Sequence, residues 1–293
     1  MFFQSRREFI KKAGATAALC SFAPAFAFGE QSKDIGLQLY TLRTEIDKDP
    51  LAVLKEVAGI GFKFIEIYPS KQGHFFGYTT KEFKNICDGL GLIPVSMHIL
   101  TGRSQPEVKG TFVNDWPRLA EEAASVNLKY IVCPWLHQNE YSSVDECLKT
   151  AAFLNKIGED CQKFGLQFAY HNHDFEFKPV EGKVPYELFL TNTDSNMVKF
   201  EMDLYWVVKG GENPVNLFLK NPGRFALWHV KDMDKLNKDL NADVGTGSIN
   251  FKEIFENKNV AGMKYFFLEQ ETYRSSSLNS VKNGYRYLKN LNY

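Results

Sequence analysis

An excess of charge of either sign is missing from this chain. Lys and Arg total 35, Asp and Glu total 35, in 293 residues. Setting aside Arg6, Arg7, Lys11, Lys12 and Glu8 near the start leaves 31 cations against 34 anions. A mildly acidic body has no concentrated basic surface for phosphates, so neither nucleic acid nor anionic lipid is an expected partner. Paired cysteines are missing too. Cys20, Cys87, Cys133, Cys147 and Cys161 form no CxxC and no zinc-module spacing, and the last four are expected as buried free thiols. The apolar run from Ala13 to Ala27 falls short of the ~20 residues that span a bilayer. No glycine-rich turn follows the first apolar segment, where Tyr40-Thr-Leu-Arg43 stands instead, which argues against a dinucleotide-binding open sheet. Histidine is scarce, six in all, yet two fall within Phe168-Ala-Tyr-His-Asn-His-Asp-Phe-Glu176.

What is present begins with a leader. Ser5-Arg6-Arg7-Glu8-Phe9-Ile10-Lys11 matches a twin-arginine export pattern, and Ala25-Phe26-Ala27 is an A-x-A-like cleavage site. The expected division is therefore a signal over 1–27 and one catalytic domain over 28–293, exported to the periplasm.

Beyond the leader, apolar strand-like segments alternate with helical ones. Strands are expected at Ile35–Tyr40, Phe62–Tyr68, Leu92–His98, Lys129–Pro134, Leu166–Tyr170, Met197–Asp203, Arg224–Lys231 and Met263–Glu271. Pro50 opens the first helix, Thr80 is the expected cap of the next, running to Gly89, and Gly165 closes a long one from Ser143 to Phe164. Eight strand–helix units in one stretch of this length predict an α/β fold of a single (β/α)8 barrel.

The strand ends carry the chemistry. The third strand ends in His98, the fifth in His171 and His173, the sixth in Asp203, the seventh in His229 and the eighth in Glu269. Barrel strands deliver these ends to one mouth, so residues far apart in sequence should converge there. A mixed carboxylate–imidazole set suits one divalent metal, Mn²⁺, Zn²⁺ or Fe²⁺. Tyr40, Trp135, Tyr205 and Trp206, at or just past strand ends, offer faces for the C–H side of a sugar ring. Glu66 and His98 are further candidates for substrate contact, though a loop cap and a structural histidine are the alternatives. His74 and His137 are expected in solvated loops, Gly245 and Gly247 in a tight turn, and Lys231 is read either as a catalytic group or as the salt-bridge partner of Asp232.

The motifs Glu201-Met-Asp-Leu-Tyr205, Trp228-His-Val-Lys-Asp232, Val244-Gly-Thr-Gly-Ser248 and Phe267-Leu-Glu-Gln-Glu271 resemble the xylose-isomerase-like barrel superfamily. That superfamily includes sugar isomerases and epimerases, inosose dehydratases and endonuclease IV. The resemblance implies one divalent metal held at the ends of strands five to eight, here His171 (or, in its place, His173), Asp203, His229 and Glu269. Its fifth-strand position is usually Glu; His171 here resembles a His-Asn-His subgroup. The implied activity is isomerisation or epimerisation of an unphosphorylated sugar or keto-sugar through an enediolate, with Glu269 as base and His173 or Lys231 assisting. Loss of the fifth-strand Glu gives weight to the alternative, β-elimination from a keto-glycoside or related keto-sugar. The rival from another class is a non-catalytic periplasmic sugar-binding protein. The expected partner is a small sugar, and self-association into a homo-oligomer is left open.

Overall fold

The computed structural model describes residues 33–293; the leader and its cleavage site lie outside the described residues. Asp34–Tyr293 make one compact unit. Its strands are β1 (Gly36–Gln38), β2 (Phe64–Ile67), β3 (Ile93–His98), β4 (Tyr130–Cys133), β5 (Gln167–His171), β6 (Val198–Asp203), β7 (Leu227–Val230) and β8 (Tyr265–Leu268). Each pairs in parallel with its neighbours, and β1 closes on β8 through Gly36 opposite Phe267. The expected (β/α)8 barrel is what the chain forms.

Period-two alternation along the strands sorts side chains between two cores. Phe168, Tyr170, Phe200, Met202, Trp228, Val230 and Leu268 pack outward against the helices. Val95, Val132, Ala169, Leu227 and Phe267 form a separate apolar layer inside the ring, flanked by Phe64, Tyr130 and Tyr265. Gly36 makes room for that layer, since a Cβ there would fall 2.4 Å from the Phe267 ring. The β2–β3 ladder steps from Ile65 opposite Pro94 to Glu66 opposite Ser96, skipping Val95. After that bulge both Ser96 and His98 reach Glu66. The layer floors the barrel; the polar residues stand above it.

Local signals set the element ends, with some differences from expectation. Helix Thr80–Leu90 is capped by Thr79, not Thr80, because Glu82 is the third helical residue and closes a capping box back to Thr79. It runs past Gly89 and stops at Gly91, whose φ of 70° fits the left-handed stop that glycine tolerates. The strands are shorter than the apolar runs: Gln38 ends β1, and its side-chain oxygen takes the Tyr40 N–H to start a 3₁₀ turn over Leu39–Leu42. A helix over Leu204–Lys209 starts immediately after β6, and a two-residue antiparallel ladder joins Asp232–Met233 to Asn241–Ala242. Neither was legible in the apolar periodicity. Cys87, Cys133, Cys147 and Cys161 are free and buried. No described helix is long and apolar enough to cross a membrane.

The capping geometry makes a direct prediction. Thr79→Ala should lower unfolding free energy by about 1 kcal/mol, and Thr80→Ala should change it much less, as measured by urea denaturation. Equal effects would contradict the assigned cap.

Candidate metal centre and substrate cavity

Two rows of polar residues stand above the apolar floor because strand neighbours two apart share a face. On β7 and its extension the inward row reads Leu227, His229, Lys231; after β8 it reads Phe267, Glu269, Glu271; on β6 it reads Glu201, Asp203. Register aligns His171 with Glu201 and Asp203 with His229. Glu66, Glu201, Asp203 and His229 have no exposed surface, and His98, His171, Lys231 and Glu269 are also buried.

The lower row is a tight cluster. The His229 Nε2 lies 2.5 Å from Glu66 and 3.2 Å from Glu201. His98 Nε2 lies 3.1 Å from Glu66 and 3.4 Å from Glu201, and His171 Nδ1 is 3.1 Å from Glu201. Gln38 and Ser96 donate to Glu66 at 2.7 and 2.5 Å. Glu66, for which substrate contact and a loop cap were the two expectations, is instead engaged by Gln38, Ser96, His98 and His229.

The upper row centres on Lys231. Its Nζ lies 3.0 Å from Asp203 Oδ2, 2.7 Å from Glu269 and 2.6 Å from Glu271. The alternative of a Lys231–Asp232 pair is corrected by this geometry. Adjacent residues point to opposite sides, and the Asp232 carboxylate instead takes the backbone N–H groups of Met233, Gly245, Gly247 and Ile249. The two loop glycines thereby wrap the carboxylate, and a Cβ on Gly247 would sit 2.3 Å from it.

Asp203 is held from two sides. Its Oδ1 caps the following helix by accepting the Trp206 N–H at 3.0 Å, which turns Oδ2 into the site. Asn172 pairs with the Asp203 backbone, accepting its N–H and donating to its carbonyl. The middle residue of His-Asn-His therefore stitches β5 to β6. His173 packs between Trp206 and Phe175 at ring separations of 5.1 and 5.5 Å, and its Nδ1 has no hydrogen-bond partner. Below it Glu176, fully buried, accepts from Tyr170 Oη and from the His173 N–H.

A cavity of about 410 Å³ opens over this assembly and is lined by His98, His171, His173 and Glu269 on its polar side and Tyr40 and Trp135 on its aromatic side. Tyr40 and Trp135 are each about two-fifths exposed, as apolar platforms at a mouth would be. Trp206 backs His173 rather than lining the cavity. His74, expected in solvent, is buried with Nε2 bonded to the His98 carbonyl, and burial lowers its pKa to about 4. His137 caps a 3₁₀ turn through Asn139.

Charge is unbalanced here. Burial opposes ionisation of every group, and neighbours decide the outcome. Burial raises Glu201 to about 8, assisted by the Glu66 charge, and raises Asp203 to about 6 against the pull of Lys231. Glu66 is held low by His98 and His229, and Glu269 by Lys231 and His229, each despite burial. His98 rises to about 9 beside Glu66, against burial. His171 is pushed down by burial and then by His229, and His173 to about 3 by burial and Lys231, so both are neutral imidazoles. Asp203 and Glu269 share Lys231 with Glu271, while Glu66 and Glu201 face the imidazoles of His98 and His229. Glu201 Oε1 lacks any partner, and Asp203 Oδ2, within ion-pairing distance of Lys231, is out of line for a hydrogen bond. Such a donor set fits a divalent cation, and His171, Asp203 and His229 bring ligand atoms within 4.8 Å of one another. Glu269 joins them through His229 Nδ1 at 3.0 Å.

Residues 54–291 match the model of the xylose isomerase-like TIM barrel family. The chain belongs to that family. Among solved structures it is similar to two described as sugar phosphate isomerase/epimerase from Parabacteroides distasonis ATCC 8503. One is 28% identical, with a TM-score of 0.76 over 88% of this chain and 98% of the other. The second is 27% identical, with a TM-score of 0.74 over 91% and 97%. Among curated proteins it is similar to an inosose dehydratase of Clostridium botulinum (strain Alaska E43 / Type E3), 28% identical over 155 residues. That match covers 46% of this chain and 51% of the relative, so the chain spans about half the length of the curated relative it matches.

Sequence reasoning missed Glu201, Gln38 and the structural role of Asn172. Glu201 was within reach, because it lies two residues before Asp203 on one strand and so shares its face.

Glu176 supplies a pH test. Burial raises its pKa to about 8 from an ordinary 4.5. A carboxyl whose folded pKa is raised favours folding while protonated, so its contribution is complete below about pH 4.5 and is lost as pH rises to about 8. Glu176→Gln, which cannot ionise, should therefore gain stability relative to the native chain between pH 5 and pH 8 in urea denaturation. A difference that does not change with pH would contradict the assignment.

Proposed function

We propose that this protein is a divalent-metal-dependent enzyme that removes the proton beside the carbonyl of an unphosphorylated sugar or keto-sugar, forming an enediolate that is reprotonated to an isomer or epimer. The observation that carries the proposal is the anion-rich, imidazole-walled cavity at the C-terminal ends of the strands. Asp203, His229, His171 and Glu269 would hold the cation. When bound, it supplies Lewis-acid polarisation of a carbonyl and its neighbouring hydroxyl.

The chain's own groups do the rest. Glu269 reaches the cavity as a carboxylate kept ionised by Lys231, and is the proposed base. Lys231 holds Asp203, Glu269 and Glu271 in place from beneath the cavity. Tyr40 and Trp135 face the sugar ring. Among the described residues, those lining the cavity include no Lys or Arg, which supports an uncharged sugar over a phosphorylated one.

One observation favours a second reading. Epimerisation with two bases wants a proton carrier on each face of the carbon, and across from Glu269 stand the neutral imidazoles of His171 and His173. The neutral His173 imidazole can hydrogen-bond a departing β-oxygen, which takes its proton from water, and the inosose dehydratase relatives support elimination from a keto-sugar or keto-glycoside. Export by the twin-arginine route is part of the proposal, resting on Ser5–Lys11.

The test is proton NMR of the protein incubated with candidate ketoses and keto-glycosides. Chelation should abolish turnover, and Glu269→Gln should lower kcat by about 10²–10⁴ with the fold intact. A rearranged sugar identifies the isomerase and a released aglycone the lyase. Sugar binding without turnover, indifferent to chelator, would leave a non-catalytic binder and defeat the proposal.

A further inference from the structure

We propose that Glu66, His98, Glu201 and His229 form a cation site of their own, beneath the one at the mouth. Their ligand atoms (Glu66 Oε1, His98 Nε2, Glu201 Oε2 and His229 Nε2) all lie within 4.8 Å of one another. The measured separations run 2.5, 3.1, 3.2 and 3.4 Å. A tetrahedral ion with bonds of about 2.0–2.2 Å sets its ligands about 3.3–3.5 Å apart, so small outward shifts make the space. The ligands come from β2, β3, β6 and β7, whereas the mouth set comes from the ends of strands five to eight.

The rival explanation is a hydrogen-bonded network in which His98 and His229 both carry protons. That puts two imidazolium rings, near-parallel with centroids 5.8 Å apart, inside a buried cluster. One divalent ion with two neutral imidazoles and two carboxylates balances the charge without that cost. Four protein ligands and no open position describe a closed site, whose work is to fix the strand ends rather than to meet substrate. Fixing His229 from its Nε2 side also sets the direction of Nδ1 towards Glu269 and Asp203.

His229 is common to both sites. Simultaneous occupancy requires it to bridge through both ring nitrogens as an imidazolate; the inner site itself requires only Nε2. The mouth has a permanent cation in Lys231, while the inner tetrad has only the protons its two imidazoles take up.

Crystals of the full chain, stripped with chelator and soaked in Zn²⁺ alone, test the idea by anomalous diffraction at the zinc edge. The expected result is a peak about 2.0–2.2 Å from the four named atoms. It should vanish in Glu201→Gln and persist in Asp203→Asn. Zinc found only among His171, Asp203 and Glu269 would overturn the inner site while supporting the mouth. A tetrad peak that survives Glu201→Gln would overturn the assignment of ligands. Should Glu201→Gln fail to fold, Glu66→Gln serves in its place, with circular dichroism as the check. Loss of turnover in Asp203→Asn with the inner peak intact separates the two sites.

Discussion

Four buried carboxyl groups packed against one lysine and two imidazoles, those of His98 and His229, are the constraint on which this barrel turns. A polar cluster of that sign cannot be taken out of water unless protons or cations come with it. Lys231 meets part of the requirement, drawing Asp203, Glu269 and Glu271 around its ammonium. Burial raises Glu201 and Asp203, and the carboxylates raise His98 and His229, so that protons meet the remainder in the metal-free protein. A divalent cation meets the same need without neutralising the groups that chemistry uses.

The fold supplies the means. An apolar layer of Val95, Val132, Ala169, Leu227 and Phe267 seals the barrel from below, so the polar rows above it sit in a low-dielectric cup open at one end. Period-two alternation stacks those rows: Leu227, His229, Lys231 on one wall and Phe267, Glu269, Glu271 on the next. Each functional side chain is then fixed by backbone around it. Asp203 is both last strand residue and helix cap, Asn172 clamps the Asp203 backbone, and Asp232 gathers the loop from Gly245 to Ile249. Rigid strands hold the donors while the mouth retains aromatic faces and room for a sugar-sized guest.

Much of this was legible in the sequence because it depends on local periodicity. Apolar runs ending in His98, His171, Asp203, His229 and Glu269 announced eight strands and one mouth, and the structure gathers those residues there. What escaped depends on contacts between strands. Glu66 reads as a strand end that either meets substrate or caps a loop, but the bulge in β3 brings Ser96 and His98 onto it. Lys231 and Asp232 are neighbours in sequence, and only the strand pleat reveals that they serve opposite sides. His74 lies in a polar loop, and its burial against the His98 carbonyl follows from how that loop folds back. Glu201 lies inside its strand rather than at the end, although the i, i+2 rule places it beside Asp203. The leader has no such structural counterpart here, since it precedes the described residues.

The most direct measurement of the central claim is thermal unfolding of chelator-stripped protein titrated with Mn²⁺ or Zn²⁺. A ligand that binds only the folded state adds about 2.7 kcal/mol at a hundred times its Kd, so the melting temperature should climb steadily with metal. It should climb little in a variant lacking both Glu201 and Asp203 carboxylates. A native protein whose melting temperature ignores both ions, across concentrations that saturate ordinary metalloenzymes, would contradict the account.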